Sequence, residues 1–216
     1  MDMGKTGRDS ISMSYILEPA TERGMAFKQY DHDAAQDSSE QWMYMPALKK
    51  LKRVVSDSSS GPRTGTLFGS EIAYEDIEQR DLDDYEHTLV GEETLDGKAV
   101  YVLESRPIKA RRTKTSYGKS KVWVAKDTYL ALKNELYDHK GTLVKTFFFK
   151  DIQQVSGIWI SRKMAVVNHR NSRMSMLALK KLAVNPPMDE GIFDTRVLDD
   201  SAYREKLLNP IRQAAQ

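Results

Sequence analysis

What most constrains this chain is the period of its apolar residues. From Ile11 to Val184 they recur at every second position, in short runs divided by turn-forming residues, with no helical stretch between successive runs from Tyr85 onward. Alternation at two puts successive side chains on opposite faces of a strand. Strand following strand at short spacing gives antiparallel pairing and excludes a βαβ architecture, which needs a crossover helix.

The runs can be placed one by one. Ile11–Ile16 alternates apolar and small polar residues and stops at Glu18-Pro19. Gly24–Tyr30 carries Met25, Phe27 and Gln29 on one face, and the acidic stretch Asp31–Glu40 reads as a polar connection. Gln41–Met45 ends at Pro46, which cannot donate to a central ladder. Lys49–Val55 is the return strand. Ser56–Gly69 has loop chemistry, and Ser70–Arg80 is expected as a short helix with Ser70 as its cap and Ile72 and Ile77 inward. A meander follows: Tyr85–Val90, Ala99–Ser105, Ser120–Ala125, Tyr129–Tyr137, Thr142–Phe149, Ile158–Asn168 and Arg173–Val184. Asp96-Gly97 is its strongest tight-turn signal. Pro186-Pro187 ends the sheet, and residues 199–216 are expected as a short helix or tail. No internal repeat is visible, so a single domain over 1–216 is expected.

At 216 residues the chain can bury a core without a metal or disulfide staple. Cysteine is absent, which removes thiol nucleophiles, zinc ribbons and disulfide frameworks together. Lys plus Arg at 33 against Asp plus Glu at 31 speaks against a nucleic-acid binder, whose basic excess would show. The longest unbroken apolar run, Ala99–Leu103, is far short of the roughly 20 residues of a membrane-spanning helix. Met1–Arg8 has no apolar core, so no secretory signal is visible there; the chain is read as cytosolic or as a processed form of a longer one.

Catalytic patterns fail on their own terms. Gly118-Lys119-Ser120 looks like the end of a phosphate-binding loop, but Thr113 stands where the first glycine belongs, and a strand follows instead of a helix. Ser116-Tyr117-Gly118-Lys119 matches Ser-x-x-Lys without its partner motifs. His32, His87, His139 and His169 have no ligand spacing. Asp31, Asp33 and Asp37 lack the glycine and terminal glutamate of a calcium loop. Glu92-Glu93 and Asp83-Asp84 are adjacent, so on strands they face opposite ways. No catalysis, metal or cofactor is expected. Two basic clusters, Lys49, Lys50, Lys52, Arg53 and then Lys109, Arg111, Arg112, Lys114, Lys119, Lys121, read as solvated rims or as docking points for an acidic partner or anionic bilayer.

The apolar residues carry more. An antiparallel sheet needs its apolar face covered, and few helical stretches are available to cover it. A lid bearing Leu67 and Phe68 could fold in, and an apolar ligand could fill the rest. The candidate lining is Tyr15, Phe27, Trp42, Tyr44, Tyr101, Leu103, Phe147, Phe149, Met164 and Met176. Methionines suit such a cavity because their thioethers adapt to variable shapes. A one-residue error in register would invert any face assignment.

Four segments carry a family resemblance. Gln41-Trp42-Met43-Tyr44-Met45-Pro46-Ala47-Leu48-Lys49-Lys50 resembles a W-x-Y-x-P-A-x-(K/R) strand, and Phe68–Asp76 resembles G-S-D-x-x-Y-E-D. Leu89–Lys98 resembles L-G-E-E-x-x-D-G-K, and Trp123–Leu130 with Tyr137-Asp138 resembles W-V-D-K-E-T-Y-L-P…Y-D. Together, in this order, they are similar to the periplasmic outer-membrane lipoprotein-sorting proteins of the LolA-like superfamily, over about residues 12–198. Ala125 and Ala131 depart from that pattern, where Asp and Pro are usual. The resemblance implies a mainly β fold: a curved antiparallel sheet forming an incomplete half barrel, with short helices or a lid over the concave apolar face. It implies a non-enzymatic periplasmic carrier of lipid or lipoprotein acyl chains, with an inner-membrane transporter or an outer-membrane acceptor as partners. The alternative is a non-catalytic interaction module of an envelope transport system.

Overall fold

A computed structural model of the chain describes residues 10–31, 40–54, 62 and 65–215. The fold is mainly β, with antiparallel strands in two sheets, neither closed into a barrel. The chain divides into two compact units, Met1–Ser56 with Lys181–Gln216, and Asp57–Lys180.

The first unit holds a four-stranded sheet, β1 (Ser10–Tyr15), β2 (Ala26–Asp31), β3 (Glu40–Met45) and β4 (Lys50–Val54), each paired with the next in sequence. The register sets Tyr15 opposite Ala26, Ala26 opposite Tyr44, and Tyr44 opposite Leu51. Residues paired across strands share a face, so Met13, Tyr15, Trp42 and Tyr44 lie on one side. Phe27, opposite Ser14 and Met43, lies on the other. After a short turn at Arg196–Asp199 (α1), a helix runs over Ser201–Ala214 (α2). Asp200 caps that helix by accepting the Tyr203 backbone N–H at 2.9 Å. Tyr203, Leu207, Leu208 and Ile211 recur at helical spacing and pack with Ile192 and Val197 against Met13 and Tyr15. The expected helix or tail is therefore a helix, and it gives this sheet face its cover.

The second unit is a meander of seven strands: β5 (Tyr85–Leu95), β6 (Lys98–Pro107), β7 (Lys119–Ala125), β8 (Ala131–Tyr137), β9 (Leu143–Val155), β10 (Ile158–Asn168) and β11 (Arg173–Ala178). Each pairs with its sequence neighbours, leaving β5 and β11 at the edges. The β5–β6 turn has positive φ at both Asp96 (51°) and Gly97 (78°), the primed geometry that matches strand twist.

Five expectations change. Ser70–Arg80 is not a helix. Two 3-10 turns, Leu67–Gly69 and Tyr74–Ile77, lie in this region, and Thr66, just before the first, forms an antiparallel bridge with Ala73, just before the second. Ser70 caps no helix; its hydroxyl donates to the Leu67 carbonyl at 2.7 Å, although Ile72 and Ile77 do face the core. The β8 strand begins at Ala131, not Tyr129, which takes a left-handed turn conformation and is exposed. The last strand stops at Ala178, well before Val184, and β9 runs on to Val155. His32, Asp33 and Asp37 lie outside the described residues, as do Ser56 and Val55.

Candidate functional site

The register of the second sheet assembles an apolar face from residues far apart in sequence. Leu89 pairs with Leu103, Leu103 with Val122, Val122 with Asn134, Asn134 with Phe147, Phe147 with Val166, and Val166 with Ser175. This is one row across the sheet. Beside it, Phe149 pairs with Met164, and Met164 with Leu177, while Tyr101 pairs with Val124. The rings of Phe147 and Phe149 stack with centroids 6.4 Å apart. Along the row burial changes from one edge inward. Leu89 is 56% exposed, Leu103 and Val122 are half-buried, Phe147 is buried, and Val166 is fully buried.

The buried end lies under the segment Leu67–Ile77. Ile72 is buried against Tyr117, Leu136, Val144, Phe147 and Val166, with Leu67, Ile77, Phe149 and Met164 around them. The pairing of β8 with β9 slips between Leu136 and Tyr137, so one extra residue falls on β9 between Leu143 and Lys145. That residue is Val144, and the bulge lets it join the same cluster as Phe147 despite its opposite parity.

Carboxylates hold this strap down. Asp76, its side chain 1% exposed, pairs with Lys145 Nζ at 2.5 Å, accepts the Tyr117 hydroxyl at 2.6 Å, and accepts the Ala73 N–H at 2.7 Å. Glu75 accepts the Thr115 hydroxyl and the Ser116 N–H. Glu71 accepts from Asn168 Nδ2 at 2.7 Å and Asn171 Nδ2 at 3.1 Å, and pairs with Arg173. The Asn168 and Asn171 hydrogen bonds hold the Glu71 carboxyl below its ordinary range, with the charges of Arg173 and Lys145 adding to them. Burial, then the Asp76 charge, pushes the Tyr117 phenol far above an ordinary tyrosine, so it stays a donor. Each strap carboxylate thus reaches a different part of the unit: β10 and β11, the loop before β7, and β9.

The opposite face of the sheet is charged at its surface. Lys121 and Lys133 lie 4.7 and 4.3 Å from the ring centroid of Trp123, whose indole N–H donates to Glu93. Lys119 and Arg106 pair with Glu104, and Lys133 with Glu135. Burial and the Glu135 hydrogen bond push the Tyr137 phenol up to about 12. Beneath these long side chains Val100, Val102, Ala125 and Leu132 form a second apolar cluster.

The candidate lining separates accordingly. Tyr101, Leu103, Phe147, Phe149 and Met164 share one face of the seven-stranded sheet. Leu67 packs on it, and Phe68, in a left-handed conformation (φ 49°), is half-buried beside Leu67 in the strap. Met176 pairs with Ala165 and so faces the other way, 69% exposed; Leu177 holds the position on the Met164 side. The face expected of Met176 is thus corrected by one residue of register. Tyr15, Trp42 and Tyr44 belong to the four-stranded sheet, where Tyr15 packs under α2, and Phe27 is buried on that sheet's other face. The candidate lining left out Val122, Asn134 and Val166, whose signal was alternation inside β7, β8 and β10. It also missed the strap's anchors, which have no local signal on the strands that receive them.

Other sequence candidates dissolve. Gly118 packs against backbone: a Cβ there would lie 2.8 Å from His139 Cα. In the second basic cluster Arg111 faces Glu78 and Asp84, Lys119 pairs with Glu104, and Lys121 reaches Glu93 at 4.0 Å, so three of its six charges are answered by carboxylates. Arg53 pairs with Glu40 and lies over Trp42. Among the described residues, no helix is long and apolar enough to cross a membrane.

This arrangement defines a class. The chain superposes on a structure from Vibrio parahaemolyticus described as a candidate outer membrane lipoprotein-sorting protein domain, with TM-score 0.79 and 32% identity over 91% of this chain and 80% of that one. A DUF1329 family protein from Desulfovibrio piger matches with TM-score 0.77 and 28% identity, over 91% and 80%. A LolA superfamily protein from Nitrosomonas europaea shares the fold at TM-score 0.56 and 23% identity, over 86% and 77%. A family model described as "-like: Uncharacterized protein" matches residues 8–200. No curated protein matches. The chain belongs to the outer membrane lipoprotein-sorting protein family, and its fold is that of a LolA superfamily protein.

Proposed function

We propose that the protein is a non-catalytic carrier that binds lipid or lipoprotein acyl chains in the periplasm, with its two compact units acting as one functional domain. The observation that carries the reading is the apolar row from Leu103 through Val122 and Phe147 to Val166, half-buried at one end and strapped at the other. Membership in a lipoprotein-sorting family supports the cargo class.

The energetics suit a carrier. Each methylene taken out of water contributes about 0.8 kcal/mol, so a chain of about sixteen carbons could gross on the order of 10 kcal/mol before association costs. Aromatic and methionine side chains such as Phe149 and Met164 give many weak contacts and few fixed ones, which allows release as well as capture. Handing the cargo on would require a donor at the inner membrane or an acceptor at the outer membrane.

The reading is tested by titrating the purified chain with a fluorescent fatty acid and a dipalmitoyl lipopeptide. Phe149 is half-buried, so Phe149→Asp puts a charge beside the apolar row, on the same face, without emptying a buried site. The variant is expected to lose at least about tenfold in affinity while its circular dichroism is unchanged. Saturable binding that Phe149→Asp leaves intact would overturn the assignment of this face. No binding by the unaltered protein would overturn the carrier reading and favour an interaction module.

A further inference from the structure

We infer that β11 is a docking edge, and that it takes an extended segment of a partner protein as a further strand of the sheet. The segment it fits has apolar residues at alternate positions and carboxylates flanking them. The inference concerns partner binding and stands whether or not the sheet carries lipid.

Half of the β11 backbone is unpaired. The Leu179 N–H donates to the Arg162 carbonyl at 2.8 Å, and bonded pairs alternate along an antiparallel ladder. Ser175 and Leu177 therefore turn their N–H and C=O groups toward β10, and Met174, Met176 and Ala178 turn theirs outward. Among the described residues no hydrogen bond reaches those outward groups. The side chains are open as well: Met174, Met176 and Leu177 are each more than half exposed. No charge interrupts the run from Met174 to Leu179. Proteins ordinarily blunt such an edge with charge, a bulge or proline, because it templates strand addition. The opposite edge of this sheet is blunted in that way. There β5 carries Glu86, Glu92 and Glu93, and a bulge falls between Leu89 and Gly91. The β11 register runs without a break.

Charge decides the occupant. Arg170, Arg173, Lys180 and Lys181 flank the open run, and no carboxylate lies between residues 170 and 181. Arg173 meets Glu71 yet stays 68% exposed, and among the described residues Lys180 has no ion pair. A second copy pairing antiparallel through Met176 would set Arg173 diagonally beside Lys180 of that copy at both ends, like charge against like. A strand with Asp or Glu outside its apolar residues meets opposite charge there instead. Backbone pairing gives such a complex its affinity, and alternate side chains of the docked strand lie beside Met174 and Met176. Thioethers adapt to side chains of varied shape. Both methionines face away from Phe149 and Met164, so the docked strand extends the sheet without crossing the apolar row.

The test titrates the full chain, isotope-labelled for NMR, with a short synthetic peptide of alternating valine and threonine that ends in aspartate on both sides. Saturable shifts are expected, with slowed amide exchange at Met174, Met176 and Ala178. A peptide ending in lysine instead should bind at least about fivefold more weakly, and the difference should shrink as salt rises. Met176→Pro deletes an outward donor without touching the β10 ladder, so its melting temperature should hold while peptide affinity falls at least about tenfold. Met176→Thr keeps the donor and should bind within about threefold of the unaltered protein, which separates backbone pairing from capture by the methionine side chain. If proline disturbs the strand, the aspartate–lysine comparison and the exchange pattern carry the test. Absence of saturable binding, binding that survives Met176→Pro in a folded chain, or equal affinity for the two peptides would overturn the inference. Dimerisation of the unaltered chain in ultracentrifugation that Met176→Pro abolishes would give the edge to a second copy and overturn it too. None of these outcomes bears on lipid binding, which the Phe149→Asp titration reads separately.

Discussion

Asp76 shows how much one side chain can hold. It meets an ammonium, a phenol and a backbone N–H in a nearly closed environment. Asp76→Ala leaves Lys145 buried without its counter-charge, and the expected loss is about 3–5 kcal/mol in urea unfolding. Lys145→Met should cost less, because Asp76 keeps the Tyr117 hydroxyl and the Ala73 N–H. The double variant should be less destabilised than the sum of the two, the signature of a coupled pair. Glu71 gives a pH dependence. Its carboxyl is held below the ordinary value of about 4.3, so its contribution is complete above that pH and lost as pH falls through the lower, folded value. Stability should therefore be flat in Glu71's term near neutrality and fall in acid, and Glu71→Gln should flatten the acid limb of a stability-against-pH curve. A steeper limb in that variant would contradict the assignment. Little of this was legible beforehand. The run Glu71 to Asp76 marks itself in sequence, but its partners Thr115, Lys145, Asn168 and Arg173 lie on elements that only the register brings near.

At the scale of elements, strands were readable because each buries one side, which forces a period of two. Tyr101 with Leu103, and Phe147 with Phe149, fell on one face for that reason. Met176 did not, because β11 carries apolar residues at both parities, Met174 and Met176 on one side and Leu177 on the other. Alternation loses its meaning where both faces of an edge strand are exposed. The strap misled for a different cause. Ser70–Ile77 has capping and acidic residues that suit a helix start, yet its carboxylates are spent on other elements and not on its own N–H groups, apart from Asp76 with Ala73. Two predictions belong here. Gly118→Ala would drive a methyl into the Asp138–His139 backbone, where contacts would be 2.8 and 2.9 Å, so a loss of about 1–3 kcal/mol is expected by thermal melting. Leu207→Ala, removing the buried residue of α2 beside Ile192 and Val197, should cost about 2–5 kcal/mol in denaturant unfolding. An unchanged midpoint in the second case would mean that the helix does not cover Met13 and Tyr15 in solution.

For the whole molecule, the family was legible from four short segments in order, and the fold class from periodicity. The division into sheets of four and seven strands was not, because nothing local distinguishes a turn within a sheet from a connection between two. Nor could the alternating residues say which of them stand in line. The central claim is that the protein carries an acyl chain, and the most direct measurement is native mass spectrometry of gently purified protein, followed by organic extraction and lipid analysis. The expected result is an added mass that yields an acyl lipid on extraction and is missing from Phe149→Asp. A bare protein mass that stays bare after incubation with fatty acid and lipopeptide would contradict it.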